Sequence, residues 1–574
     1  MKGAQILVEM LIQYETEVVF GLPGDTTVGF YDALHKASGR ITHIMARDER
    51  SAGFMADVYA RLTGKPGVCE GPSGGGATYL LPGIVEAHGS SVAMVALTTD
   101  NPLSYEAQGA LTDLDQPRIF ESVTKWTALV KRTDMLPRFI RRAFRLATSG
   151  RPGAVHLALP KDVLAQEMIV CSDLYAEDAC KTWPSYRTRT EPGHVGHVVE
   201  LLMAAERPVI VAGGGAVSSG AHRELNTLSR LLVAPVATTI NGKGAIAETE
   251  PLALGVIGGN GGRPYAAEVV RGADLILFVG SKVNYVDTDH WRLPALDAPP
   301  TIVQIDIDPA ELGNNYPIDE GLCGDARRVV ADIVEALKSV SSLEPDREEW
   351  LSHITKMRAA WRRQVMEAAN RLEDPIQPQR VVRKLWEVLP DQALFICDPG
   401  TPTPFMAAEF ELRQPGRRVI SPRAQGGLGY AIPGVVGARL AKPEAPVVGL
   451  CGDGSFAMSA GDLATITRLG GPTILVLFNN RCYGWIKALQ KLYHEERYLS
   501  VDFDEPLQYT KIAQGFGLHV LQVDGPEGIE PALRKALDHG GPCFIELTTA
   551  PEHKVIPPVS AWQRAAKEGA CVEA

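Results

Sequence analysis

The sequence predicts an α/β protein built from three consecutive doubly wound parallel-sheet domains, and three observations carry that expectation. Short β-branched apolar runs alternate with helical periods along the chain. Each run ends in Gly, Pro or a polar residue, as a buried strand does where it hands over to a helix. The 574 residues correspond to three or four domains at about 100–200 residues each. Two irregular stretches, around Leu174–Pro192 and at 374–379 (DPIQPQ), divide the pattern into three.

The first unit is expected over residues 1–172. It holds the apolar runs at 18–25 (VVFGLPGD), 91–99 and 154–160, and a helical period at 50–62. The second, 190–342, opens at 208–216 (PVIVAGGGA), continues through 274–281 and 301–309, and closes with a helix at 325–340. The third, 375–552, begins with a helix at 380–389. Its strands are expected at 393–400, 445–455, 472–480 and 543–547. A mixed polar tail, 553–574, follows, expected to lie over another domain. No short internal repeat or low-complexity tract is visible.

Composition narrows the function classes. With 45% hydrophobic and 22% charged residues the chain is of ordinary globular type. A net charge of −11 argues against a general nucleic-acid binder and against attachment to anionic membranes. The nine cysteines are scattered without a CxxC, which suggests reduced thiols in the cytoplasm. No uncharged apolar run approaches the ~20 residues of a membrane span, and the N-terminus lacks a signal-peptide pattern.

The sharpest local signal is Gly452-Asp453-Gly454-Ser455, with Asn479-Asn480 beginning 25 positions after Gly454. Both segments end strand-like runs, and in a parallel sheet ligands collect at the strands' carboxyl ends. Gly lets backbone approach a phosphate, and Ser455 is expected to open a helix whose N-terminus favours anions. Asp453 and Asn480 offer two hard oxygens, which suit Mg²⁺. The alternative is two ordinary strand-to-helix turns, for which Gly, Asp and Asn are common residues.

On these residues the chain resembles the thiamine-diphosphate (ThDP) enzymes, and within them the acetolactate (acetohydroxyacid) synthase-like group. FGLPGD (20–25), GGGAT (74–78), VTKW (123–126), IDIDPAELGNN (305–315), GGLGYAIPG (426–434) and CGDGSFAMSAGDLAT (451–465) carry the likeness. It implies a pyrimidine-binding, a central and a diphosphate-binding domain, in that order. It also implies ThDP and Mg²⁺, a small 2-oxo acid as substrate, and a homodimer at minimum, extended to a homotetramer.

Position by position, the resemblance implies that Asp453, Asn480 and the backbone carbonyl of Cys482 hold Mg²⁺. Gly400, Thr401, Gly454 and Ser455 would contact the diphosphate, although Thr401-Pro402-Thr403 stands where the synthases usually have Gln and His. Leu428 would prop the cofactor into its bent shape, and the Gly426 carbonyl would face its amino group; packing in a core is the plainer reading of Leu428. Pro23 would be among the cofactor-binding residues, and Glu49 would share a proton with the pyrimidine nitrogen. Read alone, Arg47–Arg50 is a solvated charged turn, and Asp48 stands where the family usually has His.

Gln116 would point at the reacting carbon, and Lys125 matches a family lysine expected near the substrate; each also reads as an ordinary surface residue. Tyr483, Trp485, Ile486 and Leu489 would wall the substrate pocket, Leu489 replacing a Trp that favours 2-oxobutyrate. The run 280–285 (GSKVNY) lacks the arginine and the pattern that accompany flavin in biosynthetic synthases, which argues against FAD. The implied activity is a carboligase that decarboxylates a 2-oxo acid and transfers its acyl carbon to a second carbonyl. A 2-oxo-acid decarboxylase, a 2-hydroxyacyl-CoA lyase and a non-catalytic ThDP-binding subunit are the alternatives. The decarboxylases' adjacent His pair is absent, and retention of Glu49, Asp453 and Asn480 argues against a non-catalytic role.

Overall fold

A computed structural model describes residues 1–169, 173–340, 347–503, 507–523 and 525–568. The expected edges at residues 172 and 342, and the last residues of the tail, lie outside the described residues. Three six-stranded sheets follow one another, with strands between Val18 and Pro160, between Pro208 and Cys323, and between Leu394 and Thr548. Their strands pair in parallel with helices in the crossovers, as the alternating pattern requires. The strands Val447–Gly452 and Thr473–Asn479 sit centrally and are buried on both faces, hence their near-continuous apolar runs.

Numbered in chain order within each sheet, the first and third sheets share one spatial order, 2-1-3-4-6-5; the central sheet runs 6-5-4-1-2-3. The first and third domains thus have the same sheet topology, although no repeat is visible in the sequence. Strand order needs only apolar runs and crossovers in the right places, so residue identities are free to differ.

These two domains also share one hydrophobic cluster, in which the helix Glu49–Thr63 packs against the helix Ala431–Ala441. A buried polar network runs through this contact. Arg61 pairs with Asp57 (2.9 Å) and Glu86 (3.2 Å), and the Tyr430 hydroxyl donates to Asp57. Glu86 in turn accepts the backbone N–H groups of Arg423 (3.0 Å), Ala424 (3.3 Å) and Gln425 (2.8 Å). The central domain has two clusters of its own, one on each face of its sheet.

The 174–192 stretch is irregular but packed on the first domain: Trp183 is buried, its backbone N–H on the Gly64 carbonyl and its indole N–H on that of Lys65. The helix expected to open at Ser455 starts at Asp453 and ends at Ser459. A 3₁₀ turn, Ala460–Asp462, separates it from the helix Leu463–Leu469. Asp462 is held there by the Arg47 N–H (2.9 Å) and the Thr465 hydroxyl (3.1 Å), which ties the break to the first domain. Among the described residues no helix is long and apolar enough to cross a membrane. The seven cysteines identified there as free are unpaired thiols.

Candidate functional site

Five segments at the carboxyl ends of the third sheet, with Asn260 of the central domain, enclose a cavity of about 360 Å³. They follow the strands Leu394–Cys397, Val419–Ile420, Val447–Gly452, Thr473–Asn479 and Cys543–Thr548. Among the residues expected from the sequence, Gly400, Thr401, Gly426, Leu428, Asp453, Gly454, Ser455, Asn480, Cys482, Tyr483, Trp485 and Ile486 line it.

Asp453 is buried, and its carboxylate is fixed by backbone donors: Gly454 N–H on Oδ1 (2.9 Å), with Asn480 N–H (3.2 Å) and Arg481 N–H (2.7 Å) on Oδ2. These bonds join the turns after two adjacent strands, so neither turn is independent. The Asn480 amide oxygen accepts the Cys482 N–H (3.2 Å), while its Nδ2 donates to Glu552 Oε2 (3.0 Å). The other Glu552 oxygen accepts the Thr401 hydroxyl. Glu552 is itself buried and was not anticipated from the sequence; it follows the last strand with no motif around it.

Neither Asp453 nor Glu552 forms an ion pair among the described residues; the one cationic side chain lining the cavity is Arg423. Burial pushes the Asp453 carboxyl up to about 6 and raises Glu552 as well, with Asp453 adding to the latter. Two buried carboxyls without an ion-pair partner, beside an amide oxygen, are the donor chemistry of a hard divalent cation. No group of three His, Cys, Asp or Glu side chains forms a metal cluster among the described residues. The set here draws instead on one carboxylate, one amide and backbone. Gly484 is required by close approach: a Cβ there would stand 1.8 Å from Glu552 Oε2 and 2.8 Å from Asn480 Nδ2.

The Ser455 hydroxyl accepts the Gly429 N–H (2.9 Å), which ties the helix start to the turn carrying Leu428. Leu428 is half-buried and faces the cavity, so core packing alone does not describe it. Trp485 meets Trp562 at a tilt of 50° (4.3 Å between ring centroids), so the segment beyond Pro551 packs against the cavity wall. Burial raises the Cys482 thiol to about 12, which leaves it protonated and unreactive at neutral pH.

Five expected residues lie elsewhere. Leu489 belongs to the apolar cluster around Trp562 rather than to the cavity lining. The Lys125 ammonium donates to the carbonyls of Ser149 and Arg151 (both 2.8 Å) and lies outside the Asp453 cavity of its own chain. Gln116 is fully buried within the first domain. Its amide donates to the Thr99 carbonyl (3.0 Å) and accepts the Thr98 hydroxyl, because it opens the helix Gln116–Glu121 and turns inward. In that loop the residue that reaches the strand ends is Thr112, whose hydroxyl meets Ser73 (2.7 Å) beside Gly74.

Pro23 and Glu49 lie at the strand ends of the first sheet, outside the Asp453 cavity. Glu49 is buried at the start of a helix that Asp48 caps by accepting the Arg50 N–H (2.8 Å); it is no solvated turn. Burial raises its carboxyl, and Asp48 and Glu70 add to the shift.

A second cavity of about 440 Å³ opens at the strand ends of the central sheet, between Gly214, Ser281, Asp306 and the first domain's Arg151. Its Gly-rich turn has a packing reason: a Cβ at Gly213 would stand 2.3 Å from the Gly280 carbonyl. Lys282 reaches across to the Gly89 carbonyl (2.7 Å).

Comparison with known proteins agrees with this architecture. Residues 1–119 match "Thiamine pyrophosphate enzyme, N-terminal TPP binding domain", residues 195–333 the central domain and residues 398–547 the C-terminal TPP binding domain of the same family. A probable acetolactate synthase large subunit of Methanococcus aeolicus is 33% identical, over 97% of this chain and 94% of its own. Another from Methanocaldococcus jannaschii is 34% identical over the same shares. The acetolactate synthase isozyme 3 large subunit of Escherichia coli is 32% identical, over 97% and 96%.

Proposed function

The chain belongs to the thiamine pyrophosphate enzymes, and from that premise we propose a ThDP- and Mg²⁺-dependent carboligase of acetolactate synthase type. The donor is a small 2-oxo acid such as pyruvate, and the acceptor a second carbonyl. The observation that carries this reading is the Asp453–Asn480–Glu552 arrangement, buried and without an ion-pair partner, in a cavity flanked by Leu428 and Trp485. We assign the pyrimidine end to residues 1–172, the diphosphate end to 375–552 and a spacer role to 190–342.

Asp453 and Asn480 side chains, with the Cys482 carbonyl, would hold Mg²⁺. Thr401, Ser455 and the Gly454 N–H would position the diphosphate at the start of the helix Asp453–Ser459. Leu428 and the Gly426 carbonyl, both on the cavity wall, would hold the cofactor's rings and its amino group when it is bound. When bound, ThDP supplies the electron sink that lets a 2-oxo acid lose CO₂ and its acyl carbon join a second carbonyl. Glu49, whose carboxyl is shifted upward by burial, would hold and return a proton at the pyrimidine nitrogen.

Glu49 lies outside the Asp453 cavity of its own chain. The like topology of the first and third sheets supports an isologous dimer in which each cavity is completed by the partner subunit's Glu49. Pairing of two such dimers gives a homotetramer. The test is a ThDP titration followed by Trp485 fluorescence, with and without Mg²⁺, alongside turnover of Glu49→Gln. Cofactor binding that needs Mg²⁺, and a Glu49→Gln variant that binds ThDP but loses turnover by about 10²–10⁴-fold, are expected. Full turnover in that variant removes Glu49 from the mechanism. A fully active monomer in sedimentation contradicts the shared site.

A further inference from the structure

We propose that Arg423 receives the carboxylate of the 2-oxo acid. Among the described residues it is the one cationic side chain lining the 360 Å³ cavity, which it shares with Gly426, Leu428, Asp453 and Trp485. Its terminal nitrogens both donate to one neutral group, the Asn260 amide oxygen, at 3.1 and 3.2 Å with that amide oriented to accept. Its Nε is buried and without a partner among the described residues.

The carboxylates closest in influence, Asp287 and Glu86, act on it through space but form no ion pair with its guanidinium among the described residues. Asp287 bonds Asn284 (3.0 Å), and Glu86 is occupied by Arg61, Ser90 and three backbone N–H groups. A guanidinium stays charged at neutral pH, so a largely buried one with a single neutral partner lacks an anion. A carboxylate matches its planar fork.

Position narrows which anion this is. The other charges in the cavity are the carboxyls of Asp453 and Glu552, on the turns after other strands. An anionic substrate is therefore drawn to the Arg423 wall. No arginine stands in the run 280–285, and Lys282 is engaged with the Gly89 carbonyl. Arg423 also borders the 440 Å³ cavity, so a phosphate-bearing ligand there is the competing occupant.

This assignment rests on the carboligase reading, and the test separates the two. Holoenzymes of wild type, R423Q and R423K are assayed with pyruvate as both substrates, then with acetaldehyde as a neutral acceptor. ThDP affinity is measured for each. Expected for R423Q is a rise of about tenfold to a hundredfold in the KM for pyruvate. The KM for acetaldehyde and the ThDP affinity stay as in wild type, and R423K falls between. A pyruvate KM unchanged in R423Q overturns the assignment, as does an equal rise for acetaldehyde. Loss of ADP binding in R423Q at unchanged pyruvate KM also overturns it, placing the anion in the other cavity. A wild-type holoenzyme that consumes no 2-oxo acid overturns the reading beneath it instead.

Discussion

Replacing Glu86 by Ala tests how the first domain holds the cofactor loop of the third. Its carboxylate is buried and receives Arg61 (3.2 Å), the Ser90 hydroxyl (2.7 Å) and the backbone N–H groups of Arg423, Ala424 and Gln425 at 2.8–3.3 Å. Truncation leaves three N–H groups without an acceptor and leaves Arg61 with Asp57 as its remaining ion-pair partner. Breaking a buried charge pair on one side costs about 3–5 kcal/mol. In a domain of this size each kcal/mol shifts the melting midpoint by about 2–4 °C, so Glu86→Ala melts about 6–20 °C lower. Residues 423–425 lead directly into Gly426 and Leu428, so ThDP affinity falls in parallel. Glu86→Gln keeps one acceptor oxygen and lies between. Differential scanning calorimetry with and without ThDP reads both effects. A Glu86→Ala midpoint within about 2 °C of wild type refutes the reasoning.

Other outcomes follow from the same geometry. His156 is buried between Thr98 and Thr127, and burial lowers its pKa to about 3. The fold favours the neutral ring, so this stabilisation is complete above about pH 6.5 and is lost as pH falls towards 3. In denaturation curves between pH 6.5 and 4, His156→Gln is expected to be flatter than wild type by up to about 1.4 kcal/mol per pH unit; equal slopes contradict this. Glu552 orients Asn480 through Nδ2, so Glu552→Ala weakens Mg²⁺ binding by about tenfold to a hundredfold in titration calorimetry. Glu552→Gln keeps an acceptor for Nδ2 and restores most of that affinity.

The fold was legible because central parallel strands need near-continuous apolar runs, and those runs stand out between Gly- and Pro-rich turns. The GDG and NN segments were legible because glycines and hard-oxygen side chains end two such runs. Glu552 was not: it lies 72 positions beyond Asn480, and only the pairing of the last strand with Thr473–Asn479 brings it to the cavity. Arg423 was hidden for a similar reason, since its setting is made by Asn260 and Glu86 from two other domains. Gln116 and Lys125 show the converse. Residue type and loop position point to the site, while within the single chain the start of a helix and the carbonyls at 149 and 151 hold the two side chains outside the Asp453 cavity.

The central claim is that this chain joins a 2-oxo acid to a second carbonyl with ThDP and Mg²⁺. Incubating the purified protein with pyruvate, ThDP and Mg²⁺, and following CO₂ and products by mass spectrometry, tests it most directly. Acetolactate is expected, with one CO₂ released per product. Free acetaldehyde with CO₂, or no consumption of pyruvate or of any other 2-oxo acid offered, would contradict it.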